Sequence, residues 1–226
     1  PFYKIGNEVM GIATDEFYNQ WKKDPVLSSR MAFLNRMSKD SNPLKVTATL
    51  TFMEGAVLFS IFGYFKGFNS RGHNLIPHFV SGIDASAKDE NFHSLASAML
   101  FNTCREERIA AGIHKPEDDA ALIEAISAIA KAVYEHEIQI IDRLFELGSN
   151  GIVSKEELIE FLEDRINICL QRLGASPMFN HKTGEISSWF YAQLSKVKLP
   201  DFFAATQVQY TKNWKQHKLT FRGVTK

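Results

Sequence analysis

Apolar residues recur along this chain every three or four positions, the spacing that places them on one face of an α-helix. Strand-like alternation is weak throughout. Long helices with short connections are typical of an all-α helical bundle, so we predict that fold class. The four long helices are expected at 43–68, 74–108, 118–147 and 154–174, with shorter ones at 15–23, 26–37 and 187–194.

Residues with known roles at helix ends set these boundaries. Pro43 and Pro77 suit the first turn of a helix, where the missing N–H costs nothing. Ser154, with Glu157 three positions later, forms the pattern of a capping box. The sequence Gly-Ser-Asn-Gly at 148–151 ends the preceding helix. We expect a bundle domain at 1–200 and a tail at 201–226.

Composition narrows the function classes. Lysine plus arginine and aspartate plus glutamate number 26 each, so no global basic charge draws the chain to nucleic acid or to a membrane. The apolar run 50–65 is too short for a membrane span and contains Glu54. Cys104 and Cys169 lie within helical patterns and predict no disulfide framework, so we expect a reducing, cytoplasmic location.

Two carboxylates lie where a core is predicted. On the first long helix, Glu54 sits among residues at helical spacing. That face carries Thr47, Leu50, Leu58, Ile61 and Phe65. On the next helix, Glu90 follows Val80, Ile83 and Ala87 on one face, with His93 three positions later. A buried carboxylate without a partner costs several kcal/mol, so each needs a cation, a proton or a metal.

The spacing favours a metal site. Glu-x-x-His places an oxygen and a nitrogen ligand on one helix face, and a Glu from a neighbouring helix completes half of a di-metal carboxylate site. This donor set suits iron or manganese. An arginine or lysine partner, or a protonated Glu, is the structural alternative.

The second half of such a site is not visible in this sequence. Of the seven histidines, only His93 has a Glu three positions before it. The remaining ligands are therefore expected outside this chain. The cluster Glu135-His136-Glu137 fits a solvated or interhelical ion-pair face better than a ligand set.

Several segments resemble one family, the small (beta) subunit of class I ribonucleotide reductase, over its C-terminal portion. Met53-Glu54-Gly55 is similar to the family's mid-helix Glu motif, and residues 88–93 (KDENFH) to its Arg-Asp-Glu-x-x-His motif. Residues 137–145 and 152–174 resemble its next two helices. Residues 201–203 (DFF), with Tyr210 seven positions on, resemble the start of its tail.

The resemblance implies a ferritin-like bundle, incomplete here, with a role for each matching residue. Glu54, Glu90 and His93 would bind two iron ions or a manganese–iron pair. Asp89 and Tyr210 would transfer a radical. Leu58 and Phe62 would line an apolar pocket beside the metals.

The implied activity is that of a ribonucleoside-diphosphate reductase small subunit, whose metal centre activates O₂ and generates the radical used to make deoxyribonucleotides for DNA synthesis. The implied partners are the large subunit, a second small subunit, and a separate N-terminal fragment with the family's first ligands. Lys88 replaces the family's Arg. The tail beyond Tyr210 is basic where the family's is acidic and apolar, which leaves both a solvated tail and a docking role open. Another ferritin-like di-metal oxidase and a non-catalytic fragment remain as alternatives.

Overall fold

The computed structural model describes residues 2–180 and 183–195, and it is helical throughout, with no strand among those residues. The prediction of an all-α fold is confirmed. The helices are α1 (Phe2–Val9), α2 (Asp15–Asn19), α3 (Pro25–Met37), α4 (Pro43–Gly55), α5 (Phe59–Gly67), α6 (Pro77–Ala110), α7 (Asp118–Leu144), α8 (Lys155–Arg172) and α9 (Glu185–Ser195), with a short 3₁₀ helix at Gln20–Lys22.

Side-chain caps start several of these helices. Asn42 accepts a hydrogen bond from the main-chain N–H of Leu44 at the start of α4, and Pro43 occupies the first turn. The predicted capping box of α8 is present, with Ser154 and Glu157 each accepting the other's main-chain N–H. Helix α1 was not predicted, and it packs through Phe2 against Phe79 of α6.

The predicted continuous helix at 43–68 is wrong. Helix α4 ends at Gly55 and α5 begins at Phe59, with Leu58 between them in the left-handed region at φ 75°. The segment carries apolar residues on more than one face, so its periodicity identifies neither the buried face nor the break. This stretch, 43–67, is also the one helical segment among the described residues that is long and apolar enough to cross a membrane. In its most apolar 18 residues, 67% are buried inside the bundle, as expected for a helix of the core.

Helix α8 lies at the centre of the bundle, packed against α4, α5, α6, α7 and α9. Helices α4 and α6 run antiparallel, because Thr51 contacts Ser94 while Lys66, on the continuing α5, contacts Asp84. An aromatic group fills the space between α5, α8 and α9, where the ring centroids of Phe161 and Phe190 are 4.8 Å apart.

Residues 1–195 form one compact unit. The predicted boundary at 200 and the predicted tail at 201–226 lie outside the described residues, so both stay predictions.

A buried ion pair stabilises the chain at the break between α4 and α5. Glu137 of α7 is fully buried and pairs with Arg30 of α3. It also accepts hydrogen bonds from the Ser60 hydroxyl, at 3.4 Å, and from the main-chain N–H of Leu58. Arg30 in turn donates to Nε2 of His136 at 2.8 Å. This part of the acidic cluster is therefore an interhelical ion pair, the structural alternative that the sequence favoured.

Replacing Arg30 with Ala should lower the free energy of unfolding by about 3–5 kcal/mol, because Glu137 would stay buried without its cation. Chemical denaturation measures this. The control is Lys131→Ala on α7, which removes an exposed i,i+4 pair with Glu135 and should cost about 0.5 kcal/mol or less. Equal, small effects of the two substitutions would contradict the role of the buried pair.

Candidate metal centre

Glu54 occupies the last turn of α4, and its position depends on how closely α4 approaches its neighbours. A Cβ atom on the next residue, Gly55, would collide with the side chains of Ser94 on α6 and Cys169 on α8. Ser94 Oγ donates to the main-chain oxygen of Thr51 at 2.9 Å across the same contact. The absence of a side chain at Gly55 therefore lets the two carboxylate-bearing helices come together.

Glu90 and His93 lie one turn apart on α6 and meet Glu54 across this contact. His93 Nδ1 is 3.0 Å from Oε2 of Glu90 and 3.6 Å from Oε2 of Glu54. One potential ligand atom from each residue lies within 4.8 Å of the others. The structure thus brings together the three residues that the sequence singled out as ligands.

The electrostatics of the cluster favour a bound cation. Burial, and then the neighbouring Glu90, raise the pKa of Glu54 from 4.5 to about 7. The hydrogen bond to Glu90 raises the pKa of His93 above its ordinary value. Two carboxylates held this close repel one another when both are ionised, and a metal ion would relieve that repulsion. The residues present therefore fit a metal.

The donor set restricts the kind of metal. Two carboxylates with one imidazole suit iron or manganese better than a soft, thiolate-bound ion. Such metals can take up to six donor atoms, so three ligands leave coordination positions open. Among residues 2–180 and 183–195, no second group of three such side chains lies close enough to complete a two-metal site.

The cluster lies at the surface of the described chain, which corrects one expectation. The side chains of Glu54, Glu90 and His93 are 32%, 28% and 49% exposed. Leu50 and Leu58, predicted to face the core beside Glu54, are also exposed. Helix α4 buries a different face instead. That buried face carries Leu44, Ala48, Phe52 and Gly55.

The other predicted site residues lie in different environments. Asp89 is exposed on α6 next to Glu90. Leu58 lies in the break between α4 and α5, whereas Phe62 is buried in the core with its ring centroid 5.5 Å from that of Phe59. Tyr210 lies outside the described residues.

Sequence reasoning missed Arg165 of α8. It is 1% exposed and contacts both ligand-bearing helices. Leu158, Leu162 and Cys169 recur at helical spacing on the same buried face. A charge on an apolar face is the signal that identified Glu54, and the same signal applied to α8 would have found Arg165.

One family model matches most of the chain. The family described as "Ribonucleotide reductase, small chain" matches residues 3–186. No curated protein sequence matches the chain.

The fold is shared with solved structures, among them the following three. The dimanganese(II) NrdF protein of Streptococcus sanguinis is 20% identical, with a TM-score of 0.61, and the match covers 79% of this chain and 59% of that one. A putative class I ribonucleotide reductase from Bacillus halodurans is 17% identical, with a TM-score of 0.63 over 79% of this chain and 63% of that one. The ribonucleotide reductase R2 subunit from Clostridium botulinum is 18% identical, with a TM-score of 0.65 over 83% and 60%.

The chain thus spans less than two thirds of the length of each of these structures. The shared fold confirms the prediction of a ferritin-like helical bundle.

The chain should bind Mn²⁺ through this cluster, and the binding should depend on pH. Affinity should rise at least about tenfold from pH 6 to pH 8, because Glu54, with a pKa of about 7, and His93, whose pKa is raised, must each lose a proton to bind the ion. Titration followed by the electron paramagnetic resonance of free Mn²⁺ measures this.

Substitution identifies the ligands in the same titration. Glu90→Gln should weaken Mn²⁺ binding at least about tenfold. Glu107→Gln removes an exposed carboxylate about five turns further along α6 and should leave the affinity unchanged. Equal affinities for the two variants would show that the ion binds elsewhere.

Proposed function

Because the chain belongs to the ribonucleotide reductase small-chain family, we propose that it forms part of the metal-carrying subunit of a ribonucleoside-diphosphate reductase in the cytoplasm. The observation that carries the proposal is the cluster of Glu54, Glu90 and His93, whose ligand atoms lie within 4.8 Å of one another. A chain of this family with such a cluster has three of the ligand side chains that this subunit's metal centre requires.

In this proposal, Glu54, Glu90 and His93 hold iron or manganese. When bound, the metal pair supplies the redox chemistry with O₂ that generates the radical for nucleotide reduction. The protein's own contribution is to supply ligand side chains in the protonation state that metal binding requires. Glu54 releases a proton, since its pKa of about 7 leaves it partly protonated before the metal binds. His93 must be neutral at the nitrogen that donates its lone pair.

Residues around the cluster have supporting roles in the proposal. Phe62, packed on Phe59, and Leu58 would keep water away from the radical. Their apolar side chains have no polar group that could react with the radical. Asp89, exposed next to Glu90, would link the site to the radical-transfer chain. Tyr210, which only the sequence describes, would pass the radical to the large subunit.

The proposed centre needs ligands beyond these three. Glu54, Glu90 and His93 come from two neighbouring helices and lie on one exposed side of the α4–α6 pair. A second pair of helices with an Asp or Glu and another Glu-x-x-His would cover that side. We propose that these helices come from outside the 226 residues, as a preceding segment or a separate polypeptide.

Mixed with a polypeptide that carries those helices, the chain should bind about two metal ions. After exposure to Fe²⁺ and O₂ it should show a tyrosyl or metal-centred radical by electron paramagnetic resonance. Glu90→Gln in the same mixture should bind less metal and show no radical. A mixture that binds no metal would rule out the proposed function.

Tyr210→Phe separates this function from that of a ferritin-like oxidase, which needs no radical exit. The substitution should leave metal binding and radical formation intact and abolish nucleotide reduction by the complex with the large subunit. If nucleotide reduction survives the substitution, Tyr210 is not the residue that passes the radical to the large subunit.

A second copy of the chain is the remaining proposed partner, and a stripe on α6 supports it. Phe92, Leu95 and Met99 are each more than half exposed, and they follow one another at helical spacing between Lys88 and Glu106. In an antiparallel, two-fold pairing of two α6 helices, Lys88 of one copy faces Glu106 of the other. Leu95 then faces Met99, so the stripe is complementary to itself.

Charge reversal tests this pairing by sedimentation. Lys88→Glu should weaken the dimer, because it places two acidic side chains opposite each other. Lys88→Glu combined with Glu106→Lys should restore the dimer, since the pair is re-formed with its signs exchanged. A double variant as weak as the single one, or a wild-type chain that is monomeric at high concentration, would contradict the α6 pairing.

A further inference from the structure

A buried arginine lies between the two helices that carry the clustered carboxylates. Arg165 of α8 donates from Nε to the main-chain oxygen of Gly55 at 2.7 Å, and from Nη2 to Oδ1 of Asn91 at 3.3 Å. Gly55 directly follows Glu54, and Asn91 directly follows Glu90. One guanidinium therefore contacts the chain next to both carboxylates.

The break after Gly55 explains why a donor is needed there. The last carbonyls of a helix have no partner within the helix, and the main-chain oxygen of Gly55 is one of them. A cation at a helix C-terminus also interacts favourably with the helix dipole. The guanidinium carbon of Arg165 lies 3.9 Å from the ring centroid of Phe59, the first residue of α5. Arg165 thus contacts the chain on both sides of the break.

A second arginine on α8 strengthens the link to α6. Arg172 donates to Oδ1 of Asn91 at 3.0 Å and to Oγ of Ser94 at 2.8 Å. Ser94 in turn donates to the main-chain oxygen of Thr51 on α4. The amide oxygen of Asn91 therefore accepts from both arginines, and α4 and α6 are joined through α8 at two levels.

The charge on Arg165 is buried among neutral partners. Arg165 is 1% exposed, and within the described part of the chain it forms no salt bridge with a carboxylate. A buried cation without a carboxylate partner is costly. A role in fixing geometry accounts for its place between the two helices.

We propose that Arg165 is a positioning residue, which holds Glu54 and Glu90 at the separation that a metal ion requires. The inference rests on the proposed function, because it assumes that the cluster binds metal. The planar guanidinium can bond Gly55 and Asn91 at once, whereas the ammonium group of a lysine is a compact point charge.

The test is Mn²⁺ titration of the full chain and its Arg165→Lys variant, with the fold monitored by circular dichroism. Arg165→Lys keeps the charge and should weaken Mn²⁺ binding about tenfold or more, as is typical for residues that orient ligands. It should also broaden the Mn²⁺ resonance, because the ligand geometry is less fixed. Arg105→Lys is the matched control. It disrupts a bidentate pair with Asp119 at the far end of α6, and should leave the affinity unchanged.

Asn91→Ala provides a second variant if Arg165→Lys does not fold. It keeps the Arg165 bond to Gly55, removes the bonds that Arg165 and Arg172 donate to Asn91, and should also weaken Mn²⁺ binding. A folded Arg165→Lys or Asn91→Ala variant with wild-type affinity would overturn the positioning role and leave the proposed function intact. A complex of the wild-type chain with the complementary helices that binds no metal would overturn both.

Discussion

The close approach of α4 and α6 at Gly55 is the contact on which the geometry of the cluster depends. A protein interior is packed as densely as an organic crystal, so a side chain at this position would require a helix to move, or Ser94 and Cys169 to rotate away and break the Ser94 bond to Thr51. Ser94 and Cys169 occupy the space that a side chain would need. The polar groups buried by this approach are satisfied locally, since the Ser94 hydroxyl bonds the main chain of α4.

The same proximity has an electrostatic cost. Burial and the neighbouring Glu90 together disfavour ionisation of Glu54, and the pKa of Glu54 is raised as a result. The surrounding bundle can bear it because the apolar core is extensive, with α8 packed against five other helices. A local arrangement that would be unfavourable by itself is thus maintained by the rest of the fold, as is common at sites that bind cations.

Helical periodicity and one short motif predicted much of this molecule. The spacing of Glu90 and His93, and the position of Glu54 one helix earlier, identified the cluster without any structure. The break after Gly55 was not predictable in the same way, because its causes lie far along the chain. The hydrogen bond from Leu58 to Glu137 and the bond from Arg165 to Gly55 are tertiary contacts, which local patterns do not contain. The exposure of Leu50 was missed because α4 is apolar on more than one face.

The bond between Arg165 and the main-chain oxygen of Gly55 has a consequence for comparisons among relatives. Every residue type carries a main-chain carbonyl, so substitutions at position 55 would exert no selection on the identity of residue 165 through this bond. Covariation between the two positions would therefore be weak, although the atoms are in direct contact. Maps of coevolving residues would omit this particular bond between α8 and α4, and coordinates are needed to recognise it.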